Sequence, residues 1–111
     1  MPKKIRPFQK DLDRYDKLKR EILSLGFIRR GSLLRRFMPC GKQRCQCQGP
    51  SPKLHGPYYQ WTRKIQGKTV TVRLTQNQAK WLAQWIANSR RLDAILMQME
   101  NFSMRVTEQL W

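Results

Sequence analysis

The residues best suited to chemistry lie close together, in the order Cys40-x4-Cys45-x-Cys47-x7-His55. Three cysteines and one histidine make a complete tetrahedral ligand set for structural zinc. Lys42 and Arg44 stand between the cysteines, and nearby cations favour the thiolate that a metal requires. Four protein ligands leave no open position for water, so zinc here would be structural. It would hold the loop rigid and present Lys42, Arg44 and Lys53. The spacing departs from the C-x2-C pairs of common zinc fingers. Three reduced thiols without metal, with His55 facing a phosphate or capping a strand, is the competing reading. The odd cysteine count of 3 argues against a closed disulfide framework and fits a reducing cytoplasm.

Catalytic chemistry has less support. Metal-dependent cleavage of nucleic acid needs clustered carboxylates to hold the ions. The seven acids are Asp11, Asp13, Asp16, Glu21, Asp93, Glu100 and Glu108. They lie near the two ends of the chain, at spacings that read as solvated helix faces. The single histidine cannot serve both as zinc ligand and as general base. Tyr58 and Tyr59 could be nucleophiles, but strand tyrosines more often pack or stack. The expectation is a protein that is not an enzyme.

The charge distribution favours binding. The chain of 111 residues carries 23 Lys and Arg against 7 Asp and Glu, a formal charge of +16. Between Ile22 and Leu92 there are fourteen basic residues and no acid. A solvated surface usually mixes both signs, whereas a one-sign block inside a patterned region reads as a face for a polyanion. With 40% hydrophobic residues the chain is not a disordered basic tail. No apolar run reaches the ~18 residues of a membrane span. Met1-Pro2-Lys3-Lys4 lacks the apolar stretch of a signal peptide. A cytoplasmic protein associated with nucleoid or ribonucleoprotein, without a membrane partner, is expected.

The elements that must position these residues follow from periodicity. After a basic arm, Phe8, Leu12, Tyr15, Leu18, Ile22 and Leu25 recur at helical spacing up to a stop at Gly26. Gly31–Met38 reads as a strand, and Pro39–Pro57 as the Cys/His loop. Tyr58–Leu74 alternates as a hairpin. A two-residue turn at Gln66-Gly67 pairs Arg63 with Val70, Trp61 with Val72, and Tyr59 with Leu74. Trp61 then lies on the core face. Tyr58, Gln60, Thr62, Lys64, Thr69, Thr71 and Arg73 share the other face. Thr75 and Gln78 form a capping box. From there to Trp111 neither Gly nor Pro interrupts a helix, about 50 Å long if unbroken. Leu92, Leu96, Met99, Val106 and Leu110 keep a coiled-coil rhythm broken by Ser103. This stripe serves either an intramolecular core or a homodimer.

The expected fold is therefore α+β: an N-terminal helix, a three-stranded antiparallel sheet carrying the Cys/His loop, and a long C-terminal helix. Residues 1–111 form one small domain: an arm and helix over 1–26, the sheet and loop over 27–74, and the long helix over 75–111.

The motifs Gly31–Arg36 (GSLLRR), Cys40-Gly41-Lys42, Cys45-x-Cys47, His55-Gly56-Pro57-Tyr58-Tyr59 and Gly67-Lys68-Thr69-Val70-Thr71 occur in this order. Taken together, they resemble a family of short, basic prokaryotic proteins found near mobile genetic elements and transposases. The resemblance covers about residues 27–100. It implies that Cys40, Cys45, Cys47 and His55 belong to one local constellation. It implies no reaction.

The functional expectation is a small nucleic-acid-binding accessory or regulatory protein, of a mobile element or similar nucleoprotein complex. It would grip phosphates with Arg35, Arg36, Lys42, Arg44, Lys53, Lys64, Lys68 and Arg73, and stack Tyr58 on an unpaired base. DNA and RNA are equally compatible. The rivals are a module docking its C-terminal helix on a larger transposase or effector nuclease and, further off, a metal- or tyrosine-dependent nuclease.

Overall fold

The computed structural model describes residues 8–38 and 54–111. Cys40, Cys45 and Cys47 of the metal reading, and Lys42, Arg44 and Lys53 of the basic loop, lie outside the described residues. The element order is α1 (Gln9–Leu23), β1 (Ser32–Met38), β2 (His55–Ile65), β3 (Lys68–Leu74) and α2 (Gln76–Leu110). The fold is α+β, with the expected N-terminal helix, three-stranded antiparallel sheet and long C-terminal helix. The chain divides into two compact units, residues 1–28 with 87–111 and residues 29–86. α2 contributes to both. No helix among the described residues is long and apolar enough to cross a membrane.

In the first unit, α1 pairs with residues 87–110 of α2. Glu21 meets Arg91 near one end, and Asp11 lies 3.6 Å from Arg105 near the other, so the two helices run antiparallel. Leu18 and Ile95 are buried between them, Ile95 completely. Burying such side chains stabilises by about 1.5–3 kcal/mol each. Asn88 Nδ2 donates to Phe27 O at 2.9 Å and ties the chain after α1 to α2.

The seam differs from its expected phase. On α2 the residues turned inward are Leu92, Ile95, Met99, Phe102 and Val106. Leu96 and Leu110, expected in the stripe, are 47% and 65% exposed. Along α1 and its flanks the seam positions Phe8, Asp11, Tyr15, Leu18, Ile22 and Leu25 are buried or half-buried, with Glu21 half-buried beside them, while Leu12 is exposed. Both series alternate steps of three and four, as a two-helix seam requires. The polar interruption is thus Asp11, not Ser103, which is exposed and returns its hydroxyl to Met99 O at 3.1 Å. The reading of all seven acids as solvated is corrected at Asp11, which is only 5% exposed.

The second unit is the sheet with the first turns of α2. Strand order is β1-β2-β3, antiparallel throughout. The β2–β3 register is the one the alternation predicts, with Arg63 opposite Val70, Trp61 opposite Val72 and Tyr59 opposite Leu74. Both turn residues take positive φ, Gln66 at 51° and Gly67 at 80°, the type I′ geometry that matches strand twist. Glutamine accepts that φ at some cost, and Gly67 carries the second position freely. The capping box forms reciprocally. Thr75 N donates to Gln78 Oε1 at 2.9 Å and Gln78 N to Thr75 Oγ1 at 3.1 Å. The core packs Trp61, Leu82 and Ile86 with Leu33, Leu74 and Trp85.

Candidate nucleic-acid interface

Alternation along the strands divides the sheet into two faces. Trp61 shares the α2-facing side with Leu33, Arg35, Tyr59, Arg63, Ile65, Lys68, Val70, Val72 and Leu74. The other side carries Ser32, Leu34 and Arg36 from β1, Tyr58, Gln60, Thr62 and Lys64 from β2, and Thr69, Thr71 and Arg73 from β3. This second side is open: Ser32, Leu34, Arg36, Lys64, Thr69, Thr71 and Arg73 are all exposed.

Of the sequence-predicted binding residues, the register therefore joins the phosphate contacts Arg36, Lys64 and Arg73 and the stacking Tyr58 on one face. Arg35 and Lys68 stand on the opposite side, Arg35 opposite Tyr59 and Lys68 opposite Ile65. The Arg35 guanidinium lies 5.3 Å from the Phe37 ring centroid. His55 begins β2 opposite Met38, next to a register shift between Arg36 and Met38. No group of three metal-ligating residues occurs among the described residues.

The open face has internal order. Thr62 and Thr71 pair their hydroxyls across the strands at 2.9 Å. The Arg73 guanidinium lies over the Tyr58 ring, 4.2 Å from its centroid, a cation–π contact that holds the two groups together. One side of Tyr58 is thus already stacked. A base joining this stack meets the outer plane of Arg73 or the remaining side of Tyr58. Both planes are suited to single-stranded nucleic acid.

A second basic group is absent from the sequence-based site. Arg29 and Arg63 both lie over Trp61, at 4.6 Å and 3.9 Å from its ring centroid. Trp61 Nε1 donates to Arg30 O at 3.2 Å, and Arg29 N to Trp85 O at 3.2 Å, so the segment leading into β1 is pinned across the indole. Gly31 makes this approach possible. Its φ is +132°, and a Cβ there would strike the Trp61 indole and sit 2.8 Å from Thr62 O. Nε and Nη1 of Arg63 are buried without an acceptor. Leaving a buried donor unpaired costs about 1–3 kcal/mol. Strand alternation places Arg63 on the same face as Trp61, and an arginine on that largely apolar face was the available clue.

Charge separates the two units. The twelve charged residues of positions 29–86 are all basic, whereas the helix-pair unit holds eleven basic residues and all seven acids. No carboxylate in the sheet unit can neutralise the cations on either face.

Residues 8–84 match the model of a domain of unknown function (DUF6788). The match spans both α1 and the whole sheet, more than half of the chain, and the protein belongs to this family. Searches of the curated proteins and of the solved structures found no match.

Proposed function

We propose that this protein binds nucleic acid through the phosphate backbone, using the open sheet face as its platform. The observation that carries this reading is the acid-free sheet unit, whose exposed face sets Arg36, Lys64 and Arg73 around the Tyr58 stack. Phosphate contacts from these groups fix the strand without reading its sequence. Tyr58 and Arg73 offer stacking that tolerates any base. A binding role, not catalysis, is the reading for this face. Resemblance to proteins encoded near mobile elements favours an accessory or regulatory part in a nucleoprotein complex.

Zinc belongs to the same proposal. Cys40, Cys45, Cys47 and His55 supply the donor set of a closed structural site, which would stiffen the loop that carries Lys42, Arg44 and Lys53. Metal analysis of protein purified under reducing conditions tests this, with one zinc per chain expected and none overturning it.

The test of nucleic-acid binding is fluorescence anisotropy with single- and double-stranded oligonucleotides. Replacing Arg36, Lys64 and Arg73 together by alanine should abolish most of the binding while the circular dichroism spectrum is kept. Undiminished binding by that variant overturns the assignment of the face.

A second reading has its own observation. Met97, Met104 and Trp111 recur at intervals of seven and are 67%, 53% and 92% exposed. Such a stripe suits docking on a larger transposase or nuclease, or pairing of two chains. Sedimentation of the full chain and of one ending before Asn101 tests it, with loss of self- or partner association expected on truncation.

A further inference from the structure

At the hairpin end of the sheet, Arg29, Ser32, Thr62, Arg63, Lys64 and Thr69 line a recess of about 730 Å³. From its geometry we infer that this recess receives a terminal phosphate of a nucleic-acid strand. The inference rests on the nucleic-acid reading above and names the chemical group that its hairpin end would select.

Three observations converge. First, the Arg29 and Arg63 guanidiniums lie over the same indole, at 4.6 Å and 3.9 Å. The ring plane attracts their charge but offers no in-plane acceptor for their N–H groups. Second, Nε and Nη1 of Arg63 are buried with no acceptor among the described residues, and no acid occurs between Ile22 and Leu92 to provide one. The Arg63 guanidinium is thus not paired by a carboxylate of its own unit. Third, Lys64 and the hydroxyl-bearing Ser32 and Thr69 stand on the same recess, which adds a mobile cation and small donors around a tetrahedral anion.

A terminal phosphate fits better than an internal one. A monoester carries about −1.5 to −2 charges near neutral pH, against one for a diester, and is linked to sugar on one side only. An internal diester is flanked by two sugars, and a recess that takes it must admit both. The recess also shares Ser32, Thr62, Lys64 and Thr69 with the open face, so a strand lying on that face ends in it.

The experiment compares single-stranded oligonucleotides of one sequence bearing a 5′-phosphate, a 3′-phosphate or hydroxyls at both ends, bound to the full chain at moderate salt. One phosphorylated end should bind about tenfold tighter than the hydroxyl form, the size of one charge-assisted contact. The arginine Nε–H signals in a ¹⁵N–¹H spectrum of the unaltered protein should move with that ligand. Inorganic phosphate should move the same Arg63 signal and compete for the difference alone. Arg63→Gln should erase the preference, while Arg36→Ala should weaken all three ligands alike. Because Arg63→Gln could disturb the Trp61 stack, the comparison of ends on the unaltered protein decides the matter. Equal affinity for all three ends overturns the terminal-phosphate site and leaves backbone binding intact. Loss of binding to every oligonucleotide at low salt overturns the nucleic-acid reading itself, even where inorganic phosphate still moves the Arg63 signal.

Discussion

The two units of this chain solve opposite electrostatic problems. The helix pair mixes signs and uses its acids locally: Glu21 meets Arg91 and Asp11 meets Arg105. The sheet unit holds twelve basic residues and not one acid. Three of its arginines instead lie on aromatic rings, Arg29 and Arg63 on Trp61 and Arg73 on Tyr58. Stacking holds a guanidinium in place without cancelling its charge, whereas a carboxylate would do both. A unit built this way orders these three guanidiniums without a carboxylate of its own, which leaves their charge for an anion from outside. The helix pair carries a smaller surplus, eleven basic residues against seven acids, and two of those acids pair α1 with α2.

Substitutions should separate the units accordingly. The largest effect is expected at Trp61, since Trp61→Ala removes the centre of the sheet core and the ring under two arginines. A loss of about 3–5 kcal/mol in denaturant unfolding is predicted, accompanied by loss of oligonucleotide binding. Ile95→Ala in the helix pair should cost about 2–5 kcal/mol yet leave affinity unchanged under conditions where the protein stays folded. Equal damage to binding by both variants would break the division of labour. Thr75→Ala, which removes the N-cap of α2, should cost about 1 kcal/mol by the same unfolding measurement. Arg105→Met should cost less, under about 1 kcal/mol, because Arg105 is itself 57% exposed and screened. A much larger loss would show that the Asp11 charge depends on this arginine in the seam.

Much of this architecture is legible in the residues. Strand alternation fixes the β2–β3 register, since a one-residue slip would turn Trp61 to the open face. The Thr75/Gln78 box marks the start of α2. The phase of the helix seam is less legible. Leu96 and Leu110 compete with Ile95 and Phe102 for the inward side of α2, and Leu12 competes with Asp11 on α1. Periodicity alone favours the apolar choice, and the partner helix decides otherwise. His55-Gly56-Pro57 reads as loop because of Gly56 and Pro57, yet β2 begins at His55. The open face was legible from the hairpin, including Tyr58, Lys64 and Arg73, and β1 adds Arg36 to it. The Arg29–Trp61–Arg63 stack was not, because it depends on the chain before β1 crossing the indole at Gly31, a tertiary approach with no sequence period.

The central claim is that the acid-free sheet unit neutralises phosphates. It is tested most directly by the salt dependence of oligonucleotide affinity. With about six phosphate contacts on duplex DNA, the plot of log affinity against log salt should have a slope near −5, and on single strands near −4. Replacing Arg36, Lys64 and Arg73 by alanine should lower the steepness by about three. A slope near zero for the unaltered protein would contradict the account.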